Sequence, residues 1–419
     1  MPRPVSSPVG RFVAASLEQL RVLGAEGWRA SVDHARDRWR DSQWRVTLAP
    51  RRADDPLDAP VLNLAGVPAA ARFGDVSRLL MARLRVEARE RAVAVLAPDR
   101  TGLALDWWTS EARFGLRFAH PWAGEPAAPD PTWLAAVRRC LDLTRPRFVH
   151  VEDVTGLSLP SLVELAHAGP PMVLSVHDLA AVDAAPREPM RLLLDQAVAV
   201  VCPSAYVRGA LRSWFPALDP ARLVLIPPGL PPVSLDGPAG RDPRQVAVLG
   251  GLGDAAGGAL AMDAAIELAG RGCEVTLHGG GGHDRLRALG GRGGIRVRGY
   301  SATGELPRLL AAARTAVALV LPAAPPSFSL ELSDAWAAGV PVVATDTGAL
   351  SERLAEGGGR LVPADASPEA VADVVDLVRA ASPRVPRPPS DVDAAAAHTA
   401  LYLACASRPG TPGVVPAPS

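Results

Sequence analysis

Three segments of the sequence place polar or glycine residues directly after short apolar runs, where parallel sheets bind their ligands. His177 follows the run VLSV. A histidine there can donate a hydrogen bond to a ligand, or it can satisfy a polar group at the strand end, and both alternatives stay open. Gly251 and Gly253 lie in GGLGDAAGG, after the run QVAVL. Glycines at this place let backbone N–H groups and a helix N-terminus approach a phosphate.

Several classes of enzyme are disfavoured by residues that the sequence lacks. The glycine segment loosely matches a dinucleotide-binding fingerprint. The acidic residue expected about 20 positions later to hold an adenosine ribose is missing, because CEVTLHGG carries His278 there. This argues against an NAD-dependent oxidoreductase. No serine has the spacing of a nucleophile elbow, which argues against a hydrolase. The 4 cysteines lie far apart, so we expect buried free thiols in a reducing compartment and no metal site.

The third segment, PSFSLELSDAWAAGVPVVATDTGALSERLAEGGGRLV at 326–362, resembles the signature of family 4 glycosyltransferases, also called group 1. The resemblance is strongest in DAWAAGVPVVAT and the following DTGALSER. The FSLELSD variant is similar to a subgroup that assembles bacterial surface polysaccharides and O-antigens. Similarity extends over residues 60–380, and VVCPSAYVRGAL at 200–211 resembles the junction between the family's two domains. The resemblance implies the GT-B fold and transfer of a sugar with retention of configuration.

The resemblance also implies roles for individual residues. The catalytic residues would be Asp334, whose carboxylate accepts both ribose hydroxyls of the nucleotide, and His177, which contacts the donor sugar. The remaining donor-binding positions would supply backbone groups to the diphosphate, the sugar and the base, and they are Gly251, Gly253, Gly299, Tyr300, Phe328, Ser329 and Leu330. Glu352 would anchor its own loop. The leaving group would be a nucleoside diphosphate, so catalysis would be mainly charge stabilisation and positioning. The nucleotide-sugar is a substrate, and neither a cofactor nor a metal is expected.

The sequence departs from the family pattern at two charged positions. The family pairs two glutamates, but the first position is Pro326 here and the second is the shorter Asp334. The phosphate-binding lysine of the glycine loop falls on Ala256 or Gly257, and every basic residue of the chain is arginine. We therefore expect Arg208 or Arg285 to supply the phosphate cation. The alternative is a catalytically weak or inactive homologue that serves as a binding partner or scaffold in polysaccharide assembly.

The elements that must position these residues follow from the alternation of apolar runs with helical segments. This alternation is typical of parallel sheets covered on both faces, and it is interrupted by a proline-rich stretch at 227–243. We expect an α/β protein with two Rossmann-like, doubly wound domains that face each other across a cleft. The predicted bounds are a helical extension and linker at 1–58, an acceptor-side domain at 59–235, a donor domain at 236–388, a helix returning to the first domain at 389–406, and a flexible tail at 407–419.

Composition limits the partners and the location of the protein. The chain has 44 basic and 44 acidic residues, and this balance argues against nucleic-acid binding. The expected partners are a nucleotide-sugar donor and a polysaccharide or lipid-linked glycan acceptor. We expect a cytoplasmic protein, because the sequence shows neither a signal peptide nor a membrane-spanning stretch. The extension at 1–58 either docks on the body of the protein or touches the inner face of the membrane.

Overall fold

The computed structural model describes residues 61–66, 75–99, 102–108, 113–119, 128–235, 240–252, 258–280, 289–290, 292–299 and 304–407. Residues 56–112 and 116–419 belong to one compact unit, which holds nearly all the described elements. The other unit combines residues 1–55 with Arg113–Gly115, and its described part is one end of a β-strand. The predicted extension at 1–58 and the predicted tail beyond Ser407 lie outside the described residues.

The first sheet has eight strands in the order β4-β3-β2-β1-β5-β6-β7-β8. The pairs from β2 across to β8 are parallel, whereas β3 runs antiparallel to β2. The strand order reverses between β1 and β5, which places a ligand-binding crevice at their carboxyl ends. The strands are β1 Val61–Leu64, β2 Val93–Asp99, β3 Gly102–Trp108, β4 Arg113–Ala119, β5 Phe148–Val151, β6 Met172–Ser175, β7 Ala199–Cys202 and β8 Leu223–Leu225.

Helices cover this sheet, and most of them begin at a residue that caps the free amides of the first turn. Asp130 accepts hydrogen bonds from the first amides of the helix at 131–144, and Ser204 caps the helix at 205–214 in the same way. Strands β5, β6 and β7 are buried along their whole length, as expected for a sheet covered on both faces. The helices are α1 Asp75–Glu87, α2 Pro131–Thr144, α3 Leu159–Ala168, α4 Leu179–Ala184, α5 Arg187–Gln196 and α6 Ala205–Trp214.

The second sheet has six parallel strands in the order β11-β10-β9-β12-β13-β14. Its strand order reverses between β9 and β12, and sheets of this kind bind ligands at the carboxyl ends of the strands beside such a reversal. The strands are β9 Asp242–Leu249, β10 Glu274–His278, β11 Ile295–Arg298, β12 Thr315–Val320, β13 Val342–Thr345 and β14 Gly359–Val362. The helices are α7 Gly258–Gly270, α8 Leu306–Ala312, α9 Leu330–Ala337, α10 Ala349–Leu354 and α11 Pro368–Ala381.

The predicted fold class, α/β with two Rossmann-like sheets, is confirmed by these strand orders. One part of the first sheet was not predicted. The antiparallel strand β3 has the sequence GLALDWW, whose polar residue interrupts the continuous apolar run that marks the parallel strands. Within the described residues, no helix combines the length and the apolarity needed to cross a membrane.

The last helix, α12 Asp391–Ala406, packs on the first sheet although it follows the second in sequence. Leu401, Tyr402 and Cys405 are buried in one cluster with Val61 and Phe148. This helix also packs against α1. The hydrophobic core of the first domain therefore includes residues from both ends of the described chain.

The segment that leads into α12 runs beside the connection between the two sheets. The amide of Leu230 donates to the carbonyl of Pro389 at 3.1 Å, and the amide of Asp391 donates to the carbonyl of Leu230 at 3.0 Å. A side chain at Gly229 would meet the carbonyl oxygen of Ser390 at 1.9 Å, so this close approach requires glycine. The chain thus crosses between the two domains twice, along adjacent paths.

A buried polar network lies between α12, α1 and the first sheet. Arg83 donates to Glu152 Oε1 at 2.5 Å and to Tyr402 Oη at 3.4 Å. Tyr402 Oη and His150 Nδ1 share a hydrogen bond of 2.6 Å, and His150 Nε2 shares one of 2.8 Å with Ser175 Oγ. Burial lowers the pKa of His150 to about 3, so the imidazole is neutral at physiological pH. The network fixes α12 by directional contacts as well as by apolar packing.

Replacement of Tyr402 by Phe should destabilise the protein by about 1–3 kcal/mol, because a buried hydrogen-bond partner of His150 is lost. Urea unfolding of the purified variant measures the change. The matched control is Leu403→Ala on the same helix, where the side chain is 64% exposed and the expected change is within about 0.5 kcal/mol. Equal stability of the two variants would contradict a structural role for the network.

Stability should also fall as the pH drops from 6.5 towards 4. Burial lowers the pKa of His150 to about 3 and of His278 to about 4, and it lowers the pKa of His398 well below 6.5. The unfolded chain therefore takes up protons in this range, whereas the folded chain does not. The free energy of unfolding falls by up to about 1.4 kcal/mol per pH unit for each of these histidines. Urea unfolding between pH 7 and pH 4.5 measures this slope.

The variant His398→Gln should reduce the slope, because His398 is one of the buried histidines whose pKa is lowered. A free energy of unfolding that stays constant between pH 7 and pH 5 would contradict the assignment of neutral buried histidines.

Candidate active site

The loop 326–330, which joins β12 to α9, has an unusual backbone. Ser329 has φ 70° and ψ 101°, a region that residues other than glycine rarely adopt. Its hydroxyl caps α9 by accepting from the amide of Leu332 at 3.3 Å. Backbone of this kind costs about 1–3 kcal/mol and clusters at binding and catalytic sites. Geometry alone therefore marks this loop as a functional candidate.

Arg353 on α10 holds the loop in place. Its Nη1 donates to the carbonyls of Phe328 at 2.9 Å and Ser329 at 2.7 Å, and its Nη2 donates to Ser333 Oγ at 2.8 Å. The guanidinium also stacks on the ring of Phe328, 3.9 Å from its centroid. Burial lowers the pKa of Arg353 to about 10. This arginine was not predicted as a site residue, although it lies within the family-like segment directly after Glu352.

Asp334 lies on α9, one turn beyond the loop, and the structure places its carboxylate in an ion pair. Arg78 of α1 donates to Asp334 Oδ2 at 2.8 Å and to Oδ1 at 2.5 Å, a bidentate contact between the two domains. Asp334 is only 3% exposed. Burial raises the pKa of the Asp334 carboxyl, and Arg78 acts in the opposite direction. The predicted ribose-binding carboxylate is therefore held by an arginine that the sequence analysis did not identify.

The residue after Arg78 brings α1 against the loop. Leu79 packs on a small apolar cluster formed by Leu230, Phe328 and Leu330. Phe328, Ser329 and Leu330 are all buried in this arrangement. A ligand that contacts the amides of these residues would have to displace part of the contact with α1.

His177 follows β6, at the end of the first sheet where its strand order places a crevice. Its Nε2 lies 3.8 Å from Glu152 Oε2, and its side chain is 17% exposed. Burial alone would raise the pKa of Glu152, but Arg83, His150 and His177 together lower it below its ordinary value. Among the described residues, His177 Nδ1 is a buried nitrogen without a hydrogen-bond partner. An ionised carboxylate therefore faces one side of the ring.

Ser327 forms a second set of contacts between the domains. The amide of Leu179, at the start of α4, donates to Ser327 Oγ at 3.0 Å. Ser204 Oγ donates to the carbonyl of Ser327 at 2.6 Å. The loop 326–330 is thus hydrogen-bonded to the first domain two positions before its strained residue.

Glu352 has a different role from the predicted one. We expected this carboxylate to anchor its own loop, but it caps helix α6 of the first domain instead. It accepts from the amides of Ala205 at 3.0 Å and Tyr206 at 2.8 Å. A carboxylate at a helix N-terminus is favoured by the unpaired amides and the helix dipole, and these partners lie too far away in sequence to be predicted.

The glycine segment after β9 lies near the start of α9. A Cβ added to Gly250 would lie 3.8 Å from the Glu331 side chain, so the backbone approaches α9 at this point. Gly251 is the next residue along this backbone. Gly299 is exposed at the end of the edge strand β11. Arg208 is half-buried on α6, where its charge opposes the burial that raises the pKa of Cys202 to about 12.

The hydrogen bonds and ion pairs of the described chain include none between Arg208 and the loop 326–330. The remaining predicted positions lie outside the described residues, and they are Gly253, Tyr300 and Arg285, together with Ala256 and Gly257 of the glycine loop. Among the described residues, the arginines that contact the loop 326–330 or Asp334 are Arg78 and Arg353.

Two family models match the sequence side by side. Residues 76–233 match the model described as Glycosyltransferase Family 4, and residues 243–379 match the model described as Glycosyl transferases group 1. Together the two matches cover well over half of the chain. No curated protein sequence matches significantly.

Solved structures with the same fold include several glycosyltransferases. HepE from Anabaena in complex with UDP is 16% identical, with a TM-score of 0.55 over 82% of this chain and 96% of that chain. Sucrose-phosphate synthase from Thermosynechococcus elongatus is 18% identical, with a TM-score of 0.59 over 82% and 95%. A glycosyltransferase from Rickettsia africae is 11% identical, with a TM-score of 0.59 over 84% and 100%. These likenesses confirm the GT-B fold.

Replacement of Arg353 by Met should destabilise the protein by at least about 2 kcal/mol. The carbonyls of Phe328 and Ser329 would lose a buried donor, at about 1–3 kcal/mol for each unsatisfied group. Urea unfolding gives the free energy, and the control is Arg308→Met at an exposed position on α8. If both variants unfold at the same urea concentration, Arg353 does not hold the loop.

Proposed function

We propose that this chain, which belongs to the group 1 glycosyltransferases, transfers a sugar from a nucleoside-diphosphate donor to a polysaccharide or lipid-linked glycan acceptor, with retention of configuration. The observation that carries the proposal is the loop 326–330 and its neighbour Asp334. They combine a strained backbone, a helix N-terminus and a buried carboxylate within the segment that resembles the family signature. The solved structure of HepE, which has UDP bound, supports a nucleotide donor.

Both domains contribute residues that bind the donor. In the donor complex, the carboxylate of Asp334 accepts the ribose hydroxyls, and the amides of Phe328 to Leu330 donate to the diphosphate. Such amides at the start of α9 favour an anion, because the helix dipole adds to their hydrogen bonds. His177 approaches the donor sugar from the first domain, oriented by Glu152 at 3.8 Å.

The reaction breaks the bond between the anomeric carbon and the diphosphate oxygen. The acceptor hydroxyl oxygen forms the new bond to that carbon, and its proton passes to the released nucleoside diphosphate or to water. The nucleoside diphosphate leaves with the negative charge that develops on this oxygen. Donors fixed in advance around that oxygen stabilise the transition state more than the ground state. The loop 326–330 is suited to this role because Arg353 and Ser327 hold it rigidly from two sides.

The proposal is tested with a panel of UDP-, GDP- and ADP-sugars. We expect at least one donor to release its nucleoside diphosphate in the presence of the purified protein. The matching diphosphate at a hundredfold its Kd should stabilise the fold by about 2.7 kcal/mol. Proton NMR of the anomeric signal of the product reports retention or inversion. A protein that neither binds nor hydrolyses any donor would overturn the proposal in favour of a scaffold role.

Replacement of Asp334 by Asn should weaken nucleotide binding about ten- to hundredfold, because hydrogen bonds to a charged acceptor contribute about 1.5–3 kcal/mol. Calorimetric titration with the diphosphate identified by the panel measures the loss. Asp365→Asn, at an exposed position of the same domain, should bind as the unmodified protein does. If the two variants have the same affinity, Asp334 lies outside the nucleotide site.

A further inference from the structure

We propose that His278 recognises the base of the donor nucleotide, and that its Nε2–H group donates a hydrogen bond to a carbonyl oxygen of uracil or guanine. This inference rests on the proposed function, because it assumes that a nucleoside diphosphate occupies the donor site. It assigns the choice of base to a side chain at the end of β10, where the sequence lacks the acidic residue of dinucleotide-binding proteins.

The imidazole of His278 is a buried polar group that the fold leaves without a partner. The residue is 6% exposed, and among the described residues neither ring nitrogen makes a hydrogen bond. Nδ1 is the buried nitrogen, which leaves Nε2 as the one that a ligand can reach. A buried polar group without a partner costs stability, so its presence calls for an explanation other than folding.

The ring is neutral, and burial favours one of its two tautomers. Burial, with a smaller effect of the charge on Arg298, lowers the pKa of His278 to about 4. A neutral imidazole has one N–H group and one bare nitrogen. An unpaired lone pair in the interior is less costly than an unpaired N–H group, so the buried Nδ1 is bare and Nε2 carries the proton. The ring therefore offers a hydrogen-bond donor to a ligand.

His278 lies on the face of the second sheet that is covered by the helix of the proposed ribose contact. Its register partner on β9 is Leu249, which packs in one cluster with Leu332 and Trp336 of α9. Register partners on adjacent parallel strands point to the same face of a sheet. The imidazole is therefore on the same face as α9, the helix that carries Asp334.

The strand order places the base at His278 and the phosphates farther away. The loop 326–330 follows β12, and β10 lies two strands from β12, about 10 Å at the usual strand spacing. A nucleotide whose diphosphate lies at the loop extends its nucleoside over a distance of this order. Gly299, which the family resemblance places beside the base, directly follows Arg298, the register partner of His278 on β11.

Glycines follow β9 and β10 at the level of this histidine. The amide of Gly250 donates to the carbonyl of His278 at 3.0 Å, and the amide of Gly279 donates to the carbonyl of Arg298 at 3.2 Å. A Cβ on Gly279 would lie 1.8 Å from the carbonyl oxygen of Gly250, so the close approach of the two strands requires glycine here. These residues therefore leave the strand ends free of side chains that would compete for the ring.

A fixed N–H group selects among bases by the group that they carry at the same edge. Uracil and guanine have a carbonyl oxygen where cytosine and adenine have an amino group. The amino group is itself a donor, so it cannot accept from Nε2–H. A site that hydrogen-bonds its ligand rejects an analogue without the matching group. We therefore expect a preference for UDP over CDP, or for GDP over ADP.

The test uses these two matched pairs of diphosphates. UDP, CDP, GDP and ADP are titrated calorimetrically against the unmodified protein and against His278→Leu. In at least one pair, the base with the carbonyl should bind more tightly to the unmodified protein. The ratio of the two affinities should fall about fivefold or more in His278→Leu, because one hydrogen bond is lost. His278→Gln, whose amide keeps an N–H donor, should give an intermediate ratio.

Urea unfolding distinguishes a ligand-binding histidine from a structural one. His278→Leu breaks no hydrogen bond within the described chain, so it should unfold at the same urea concentration as the unmodified protein or at a higher one. A histidine that stabilised the fold would give a lower concentration. The matched control is Thr276→Val, two residues earlier on the same face of β10, and it should leave the affinity ratio unchanged.

The outcomes separate this inference from the proposed function. If the unmodified protein binds none of the four diphosphates, the proposed function fails and the inference with it. If it binds them but the ratio is unchanged in His278→Leu, or if the amino-bearing base is preferred in both pairs, the inference alone is overturned. If His278→Leu does not fold, the ratio is measured on His278→Met, whose flexible side chain also lacks a donor, and an unchanged ratio there overturns the inference.

Discussion

A guanidinium that is taken out of water has to find acceptors for its N–H groups, and among the described residues three largely buried arginines connect elements of this protein under that constraint. Arg83 joins α1 to the first sheet and to α12 through Glu152 and Tyr402. Arg78, on the same helix, joins the first domain to α9 of the second. Arg353 fixes the loop 326–330. Helix α1 therefore links the core of the first domain directly to the candidate donor site.

The same residue type has two roles at the site because its acceptors differ. Arg353 donates to two backbone carbonyls of the loop 326–330, and these contacts hold the loop in place. Arg78 donates to the carboxylate of Asp334, whose oxygens a ligand hydroxyl can also use. Its contact is therefore open to competition. The two arginines therefore differ in the chemistry of their partners, because Arg353 binds neutral backbone carbonyls and Arg78 binds a carboxylate.

The sequence was sufficient to predict the features that depend on local pattern. Buried apolar runs predicted the two sheets, and the segment 326–362 located the loop and Asp334. The partners of these residues could not be predicted, because they are set by the tertiary fold. Arg78 lies 256 positions from Asp334, and a single sequence does not indicate which of 44 basic residues approaches it. Glu352 was wrongly expected to anchor its own loop, because its partner amide at Ala205 lies 147 positions away.

The return of α12 to the first sheet makes the second domain an insertion within the first, and this has a consequence for synthesis. The ribosome delivers strands β9 to β14 before it delivers Tyr402, which covers His150 and Arg83 in the first domain. At 5–20 residues per second, the interval is on the order of ten seconds. The nascent chain therefore completes its C-terminal domain while the charged interior of its N-terminal domain is still open to water and to chaperones.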